Sequence, residues 1–144
     1  MKILVLGGAN LNILGQRQPD IYGSETLKDI EEFVGNSFKG KGLESVWRQS
    51  NAESDLIGWI QVAKEEGFQA IVINPAAFTH TSVAIYDALL SFEGEKIEVH
   101  LSNTYRREEF RKNKVTSGAS LGVIEGFGKY SYLLAFSYLI ETKA

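Results

Sequence analysis

Lys2-Ile3-Leu4-Val5-Leu6-Gly7-Gly8 is the stretch on which the fold turns. A short apolar run without alternation, closed by two glycines, reads as a parallel strand buried on both faces. Ala70-Ile71-Val72-Ile73 repeats the pattern and stops at Asn74-Pro75. Between them, Leu27, Ile30, Val34 and Phe38 fall at helical spacing, with Thr26 and Asp29 as a capping pair and Gly40 and Gly42 as the stop. Leu43 to Trp47 is a second strand. Ser50 with Glu53 fits a capping box, and Leu56, Ile57, Ile60 and Ala63 give the apolar face of the helix that follows.

Beyond the third strand, Thr81 to Phe92 reads as a mostly buried helix, and Lys96 to Leu101 as a fourth strand. Arg107 to Lys114 is charged and irregular, Leu121 to Ile124 is a weaker fifth strand, and residues 129–141 form a last, aromatic-rich helix. Strands alternating with helices predict an α/β three-layer sandwich with right-handed crossovers. The expected form is a flavodoxin-like five-stranded parallel sheet of order 2-1-3-4-5.

The 144 residues predict a single catalytic domain spanning 1–144. That is too short for a (β/α)₈ barrel. Without cysteine there is no disulfide scaffold, thiolate zinc site or catalytic thiol. With two histidines a multi-histidine metal site is not expected. A net charge of −3 argues against nucleic acid as partner. No apolar run approaches a membrane span, no signal-peptide pattern opens the chain, and the expected compartment is the cytoplasm.

In open parallel sheets ligands bind beyond the carboxyl ends of the strands, where strand order reverses. Strand one ends there at Gly7-Gly8-Ala9-Asn10, and strand three at Asn74, with His80 shortly after. In strand four Ile97, Val99 and Leu101 point one way and Glu98, His100 and Ser102 the other. Both histidines of the chain therefore fall on the predicted binding edge. Glu98 is placed to hold His100 in one tautomer, given a backbone shift that brings them into contact. Residues 7–25 form a long loop with no clean period, of a length that is often functional. It carries Arg17 and Tyr22, and Tyr22 has no periodic reason to be buried. Arg106, Arg107 and Arg111 follow strand four, so arginine gathers beside the predicted cleft of an acidic chain. That suits a small anionic substrate. The glycine-rich start lacks both G-x-G-x-x-G and G-K-[ST]. A receiver module would want aspartates where the chain has glycine and Asn74.

Several motifs, in order, then carry a resemblance. They are Asn10-Leu11-Asn12-Ile13-Leu14-Gly15-Gln16-Arg17-Gln18-Pro19-Asp20-Ile21-Tyr22-Gly23, then Gln49-Ser50-Asn51 with Glu53, then Ile73-Asn74-Pro75-Ala76-Ala77-Phe78-Thr79-His80-Thr81-Ser82-Val83-Ala84. Ile97-Glu98-Val99-His100-Leu101-Ser102-Asn103 and Arg107-Glu108-Glu109-Phe110-Arg111 complete the set. Over nearly its whole length the chain resembles the type II 3-dehydroquinases. Departures are Gly7-Gly8-Ala9-Asn10 for the family's Asn-Gly-Pro-Asn, Tyr105 for a histidine, Tyr86 for an arginine, and Lys114-Val115 for Ser-Tyr.

The resemblance implies a lyase that dehydrates 3-dehydroquinate to 3-dehydroshikimate, in the shikimate route to aromatic amino acids, without metal or organic cofactor. It implies Tyr22 as base, with Arg17, helped by Arg111, as the cation that favours the phenolate. Asn10 would stabilise the enolate through an ordered water. His100 would protonate the leaving hydroxyl, oriented by Glu98. Asn74, His80 and the backbone of Leu101 and Ser102 would hold the substrate's hydroxyls and carboxylate. Arg111 would add ring-hydroxyl contacts, and Arg107 would close as a lid. Asp87 would complete a neighbouring subunit's site in a homo-oligomer, a dodecamer built from trimers. A second reading, from another class, is a flavodoxin-like binding protein for a small anion, a family member without turnover. Tyr22, Arg17 and His100 together set the two apart, since binding alone needs no base and acid pair.

Overall fold

The computed structural model describes residues 1–16 and 18–143. Five parallel strands form one sheet: β1 (Lys2–Gly7), β2 (Glu44–Gln49), β3 (Ala70–Asn74), β4 (Glu95–His100) and β5 (Gly122–Glu125), in the order β2-β1-β3-β4-β5. Among the described residues five α-helices accompany them: α1 (Pro19–Tyr22), α2 (Leu27–Ser37), α3 (Glu53–Val62), α4 (Val83–Ser91) and α5 (Tyr130–Lys143). The expected flavodoxin-like order is the observed one.

The apolar strands sort their side chains by parity, and each parity makes one core. Ile3, Val5, Val72, Ile97, Val99 and Leu101 pack under α2 and α5, against Ile30, Val34, Tyr132, Phe136 and Leu139. Leu4, Leu6, Ile71 and Ile73 face the other way, onto Leu56 and Ile60 of α3 and Ile85 and Leu89 of α4. Helices thus cover both faces, giving the three-layer sandwich. Glu98 and His100 belong to the second parity, which near the carboxyl end of β4 carries polar groups instead of core.

Several boundaries differ from the sequence expectation. β2 starts and ends later than Leu43–Trp47, because the Met1 carbonyl takes the Glu44 amide and draws the strand into register beside β1. The expected Ser50–Glu53 capping box does not form. Ala52 is the N-cap of α3, while the Ser50 hydroxyl accepts from the Ala52 amide at 3.0 Å and donates to Asp55 at 2.5 Å. The Thr26–Asp29 box at α2 does form, with both reciprocal bonds present. The helix expected over Thr81–Phe92 is shorter and one-sided. Ser82 caps it, Ile85, Ala88 and Leu89 are buried, and Val83 and Leu90 are exposed. The 7–25 loop is not structureless, for it holds a 3-10 turn at Leu11–Ile13 and the short α1. No helix among the described residues is long and apolar enough to cross a membrane.

Candidate active site

The order of strands reverses between β1 and β3, and there the chain leaves the sheet at Gly7 and Asn74, which are paired in register. Gly8 donates its amide to the Asn74 carbonyl at 2.8 Å. A Cβ on Gly8 would stand 2.0 Å from the Pro75 carbonyl oxygen, so only glycine lets the two loops touch. Asn10 follows in a left-handed conformation, φ 70°, which asparagine tolerates better than most residues. Its amide is held by Asn51 Oδ1 at 2.9 Å. Gln49 Nε2 donates to that same oxygen at 3.1 Å and to the Gly8 carbonyl at 3.2 Å. The end of β2 therefore braces the turn at the end of β1.

Asn74 is buried, and its Oδ1 accepts from the Ala76 amide at 3.0 Å, which fixes its carboxamide. The phenol of Tyr132, from α5, bonds the same side chain, and burial pushes that phenol up to about 12. It stays protonated there and serves as a rigid prop. The 3-10 turn Ala76–His80 then carries His80 to the rim. His80 Nδ1 lies 2.7 Å from the Asn113 carbonyl, so Nδ1 carries the hydrogen and Nε2 is left as an acceptor. Burial lowers its proton affinity. The Asn113 carbonyl opposes this, while Arg111, His100 and Lys114 add to it, so the ring is neutral at pH 7.

Glu98 has no exposed surface, and His100 almost none. His100 Nε2 stands 2.7 Å from Glu98 Oε1. No backbone shift is needed. β4 keeps its register through Glu98 and His100, and side chains two residues apart on one face reach each other. Burial pushes the Glu98 carboxyl up, but hydrogen bonding and charge from His100, with hydroxyls from Thr79 and Ser117, outweigh it, and the carboxyl sits below its ordinary value. With Nε2 held on the carboxylate, the His100 ring lines the cleft.

After β4 the chain makes two 3-10 turns, Thr104–Arg106 and Glu109–Lys112, the first capped by Asn103. Arg107 and Arg111 both turn inward, while Arg106 is exposed and takes no part. Arg107 Nη1 donates to the Tyr22 hydroxyl at 2.6 Å and reaches Ser102 Oγ at 3.4 Å, with its guanidinium 5.1 Å from the centre of the tyrosine ring. Arg111 is held by Glu108 at 2.6 Å. Among the described residues, Arg107 Nη2 is buried without a hydrogen-bond partner. A buried guanidinium nitrogen of this kind, on a cleft wall, is a ready donor to an anion.

One cleft therefore gathers Asn10, Tyr22, Asn74, His80 and His100. Leu101, Ser102, Arg107 and Arg111 complete its wall. Glu98 lies beneath His100. Asp87 stands exposed on α4, outside the cleft. Arg17 lies outside the described residues. Among the described residues Arg107 is a cation on the Tyr22 phenol; the expectation for Arg17 lies outside those residues. Reasoning from sequence missed Thr79, Thr116 and Ser117 around Glu98, Tyr132 behind Asn74, and Gln49 and Asn51 under Asn10. No spacing rule links residues so far apart in the chain. Two departures from the family pattern meet, with Lys114 Nζ 4.2 Å from the centre of the Tyr105 ring and 2.9 Å from Glu125. Among the described residues, no group of three or more histidine or acidic side chains is gathered that could hold a metal ion.

A flavodoxin-like sheet with a tyrosine, two histidines and two arginines converging at its switch point defines a class of α/β proteins suited to a small anion. Comparison with known proteins narrows it. The family model described as "Dehydroquinase class II" matches residues 1–140. A 3-dehydroquinate dehydratase of Clostridium botulinum (strain Hall) is 50% identical over 139 residues, 96% of this chain and 94% of that one. The crystal structure of a type II dehydroquinase from Butyrivibrio crossotus superposes with a TM-score of 0.94 at 46% identity, covering 96% of this chain and 97% of that one. One from Propionibacterium acnes gives 0.92 at 42% identity, covering 97% and 96%. The chain belongs to the class II dehydroquinase family.

Proposed function

We propose that the chain catalyses the dehydration of 3-dehydroquinate to 3-dehydroshikimate, in the shikimate pathway of aromatic amino-acid biosynthesis in the cytoplasm. The observation that carries this reading is a pair of proton-transfer groups on opposite elements of one cleft. Tyr22 lies under the Arg107 guanidinium, and His100 is locked to Glu98.

The reaction removes a proton from the carbon beside a ketone and a hydroxyl from the next carbon. Tyr22, as phenolate, takes the proton, and the guanidinium of Arg107 balances its charge, with Arg17 as a second cation. The enolate oxygen is stabilised by Asn10 through a water. His100 then gives its Nδ1 proton to the departing hydroxyl, which leaves as water. Glu98 keeps Nε2 protonated and the ring in place throughout. Asn74, neutral His80 as acceptor, the amides of Leu101 and Ser102, and Arg111 hold the substrate's hydroxyls and carboxylate. Arg107 also closes the cleft over the substrate. Asp87 reaches a neighbour's site in a dodecamer of trimers, which accounts for its exposure here. Every step uses side chains and water alone.

The product has a conjugated enone and the substrate has none. Purified protein with 3-dehydroquinate should therefore give rising ultraviolet absorbance. Binding of substrate by calorimetry with no rise in absorbance would overturn the enzymatic reading in favour of a small-anion binding protein.

A further inference from the structure

Glu98 is the most enclosed charged group in the molecule's cleft region, and hydroxyls surround it. Its Oε1 is met by Thr79 Oγ1 at 2.7 Å, His100 Nε2 at 2.7 Å and Ser117 Oγ at 2.8 Å. Its Oε2 is met, among the described residues, by Thr116 Oγ1 alone, at 2.9 Å. Thr79 Oγ1 and Thr116 Oγ1 are themselves 2.8 Å apart. Against an ionised Glu98 these five short contacts share four donor protons, one from each hydroxyl and one from the imidazole. All five are served only when Thr79 shares its proton between Oε1 and Thr116 Oγ1, while Thr116 points at Oε2. Thr116 is thus the hydroxyl through which the far oxygen is satisfied. Thr116 has no exposed surface, and its segment is pinned where the Val115 and Thr116 amides both approach the Thr79 carbonyl.

We propose that Thr116 is a positioning residue that holds the far oxygen of Glu98 and through it fixes the proton-bearing orientation of His100. The inference rests on the proposed role of His100 as acid. A carboxylate oxygen buried with no donor is costly, and the group escapes the cost by taking a proton. A protonated Glu98 no longer balances an imidazolium, so the acid is lost. The other charged groups round the pair are His80 on the 3-10 turn after β3, Arg107, Arg111 and Lys114 after β4, and Glu125 on β5. Among the described residues none of them hydrogen-bonds Oε2.

The test uses the full chain with Thr116→Val, which keeps shape and deletes the donor, and Thr116→Ser, which restores it. The Glu98 carboxyl is followed by carbon-13 NMR and kcat is followed against pH. In Thr116→Val the Glu98 titration should move up by roughly one pH unit, and the low-pH limb of kcat should move with it while KM holds. Thr116→Ser should return both. Ser117→Ala should move Glu98 less, because Oε1 keeps two other donors. Should Thr116→Val fail to fold, Thr116→Ala serves in its place with the same expectation. An unmoved Glu98 titration in a folded variant, or an equal shift in Ser117→Ala, overturns the proposal. A shift in Glu98 without a shift in the kcat limb keeps Thr116 as the holder of Glu98 and instead overturns His100 as the acid.

Discussion

Arg107 donates from Nη1 to the hydroxyl of Tyr22 at 2.6 Å, joining two residues 85 positions apart. The bond ties the loop after β1 to the turns after β4, the two segments that no strand pairing connects. Arg107→Lys keeps the charge but loses the second guanidinium nitrogen, Nη2, which among the described residues stands buried at the cleft without a partner. A lysine reaches Tyr22 or the substrate, not both. Turnover should fall by roughly 10–100-fold, about what one lost charge-assisted hydrogen bond of 1.5–3 kcal/mol supplies. Steady-state kinetics would check it, and kcat/KM within a factor of two of the parent would sink the idea.

His100→Ala should lower kcat by roughly 10²–10⁴-fold if the imidazole is the acid. It should also leave a pH signature in stability. The folded Glu98 carboxyl lies below its ordinary 4.5. Its ionised form therefore adds stability that is complete above that value and is lost as pH falls through the lower, folded one. Removing His100 deletes the largest of the effects holding the carboxyl down. The variant should be less stable than the parent at neutral pH, and the gap should narrow on acidification to pH 3. Thermal unfolding at several pH values measures this. A gap that widens toward low pH would mean that Glu98 does not depend on His100.

Much of this site was legible in the sequence, for physical reasons. Apolar runs at residues 3–6 and 70–73 give buried parallel strands, and parallel strands put their carboxyl ends on one edge. That argument alone places Asn10, Asn74 and His100 near one another. Period-2 alternation put Glu98 and His100 on one face, and the structure pairs them. What escaped were contacts set by tertiary packing: Thr116 on Glu98, Tyr132 on Asn74, and Arg107 on Tyr22. A hydroxyl 18 residues from its partner, in an irregular segment, has no period to betray it. The failed capping box at Ser50 has the same lesson. The motif was present, but Ser50 was already committed to Asp55 and to the Ala52 amide.

Gly8→Ala should damage the site without touching any reacting group. The new methyl would meet the backbone oxygen of Pro75 at 2.0 Å, so the β1 and β3 loops must part. Overpacking of this kind costs about 1–3 kcal/mol. It should also displace Asn10, whose turn begins two residues later. Lower thermal stability together with a lower kcat is expected. Unchanged stability would show that the two loops slide apart freely.

Tyr22→Phe tests the first chemical step. The substitution removes one oxygen and keeps the ring, which packs against the core under α2 and α5, so fold and thermal stability should change little. Arg107 loses the acceptor at 2.6 Å but keeps Ser102 within 3.4 Å, so the guanidinium should stay in the cleft and substrate should still bind. If Tyr22 takes the proton, the loss falls on kcat, by roughly 10²–10⁴-fold, with KM changed far less. A phenyl ring has no ionisable group, so raising the pH cannot restore turnover. Arg107→Lys, by contrast, retains the phenol and should stay active across the range, at the lower rate argued above. That difference separates the base from the cation that attends it. Initial rates of enone formation from pH 6 to 10, for both variants and the parent, supply the comparison. Substantial turnover by Tyr22→Phe at any pH would assign proton abstraction to another group, and the proposed mechanism would fail at its first step.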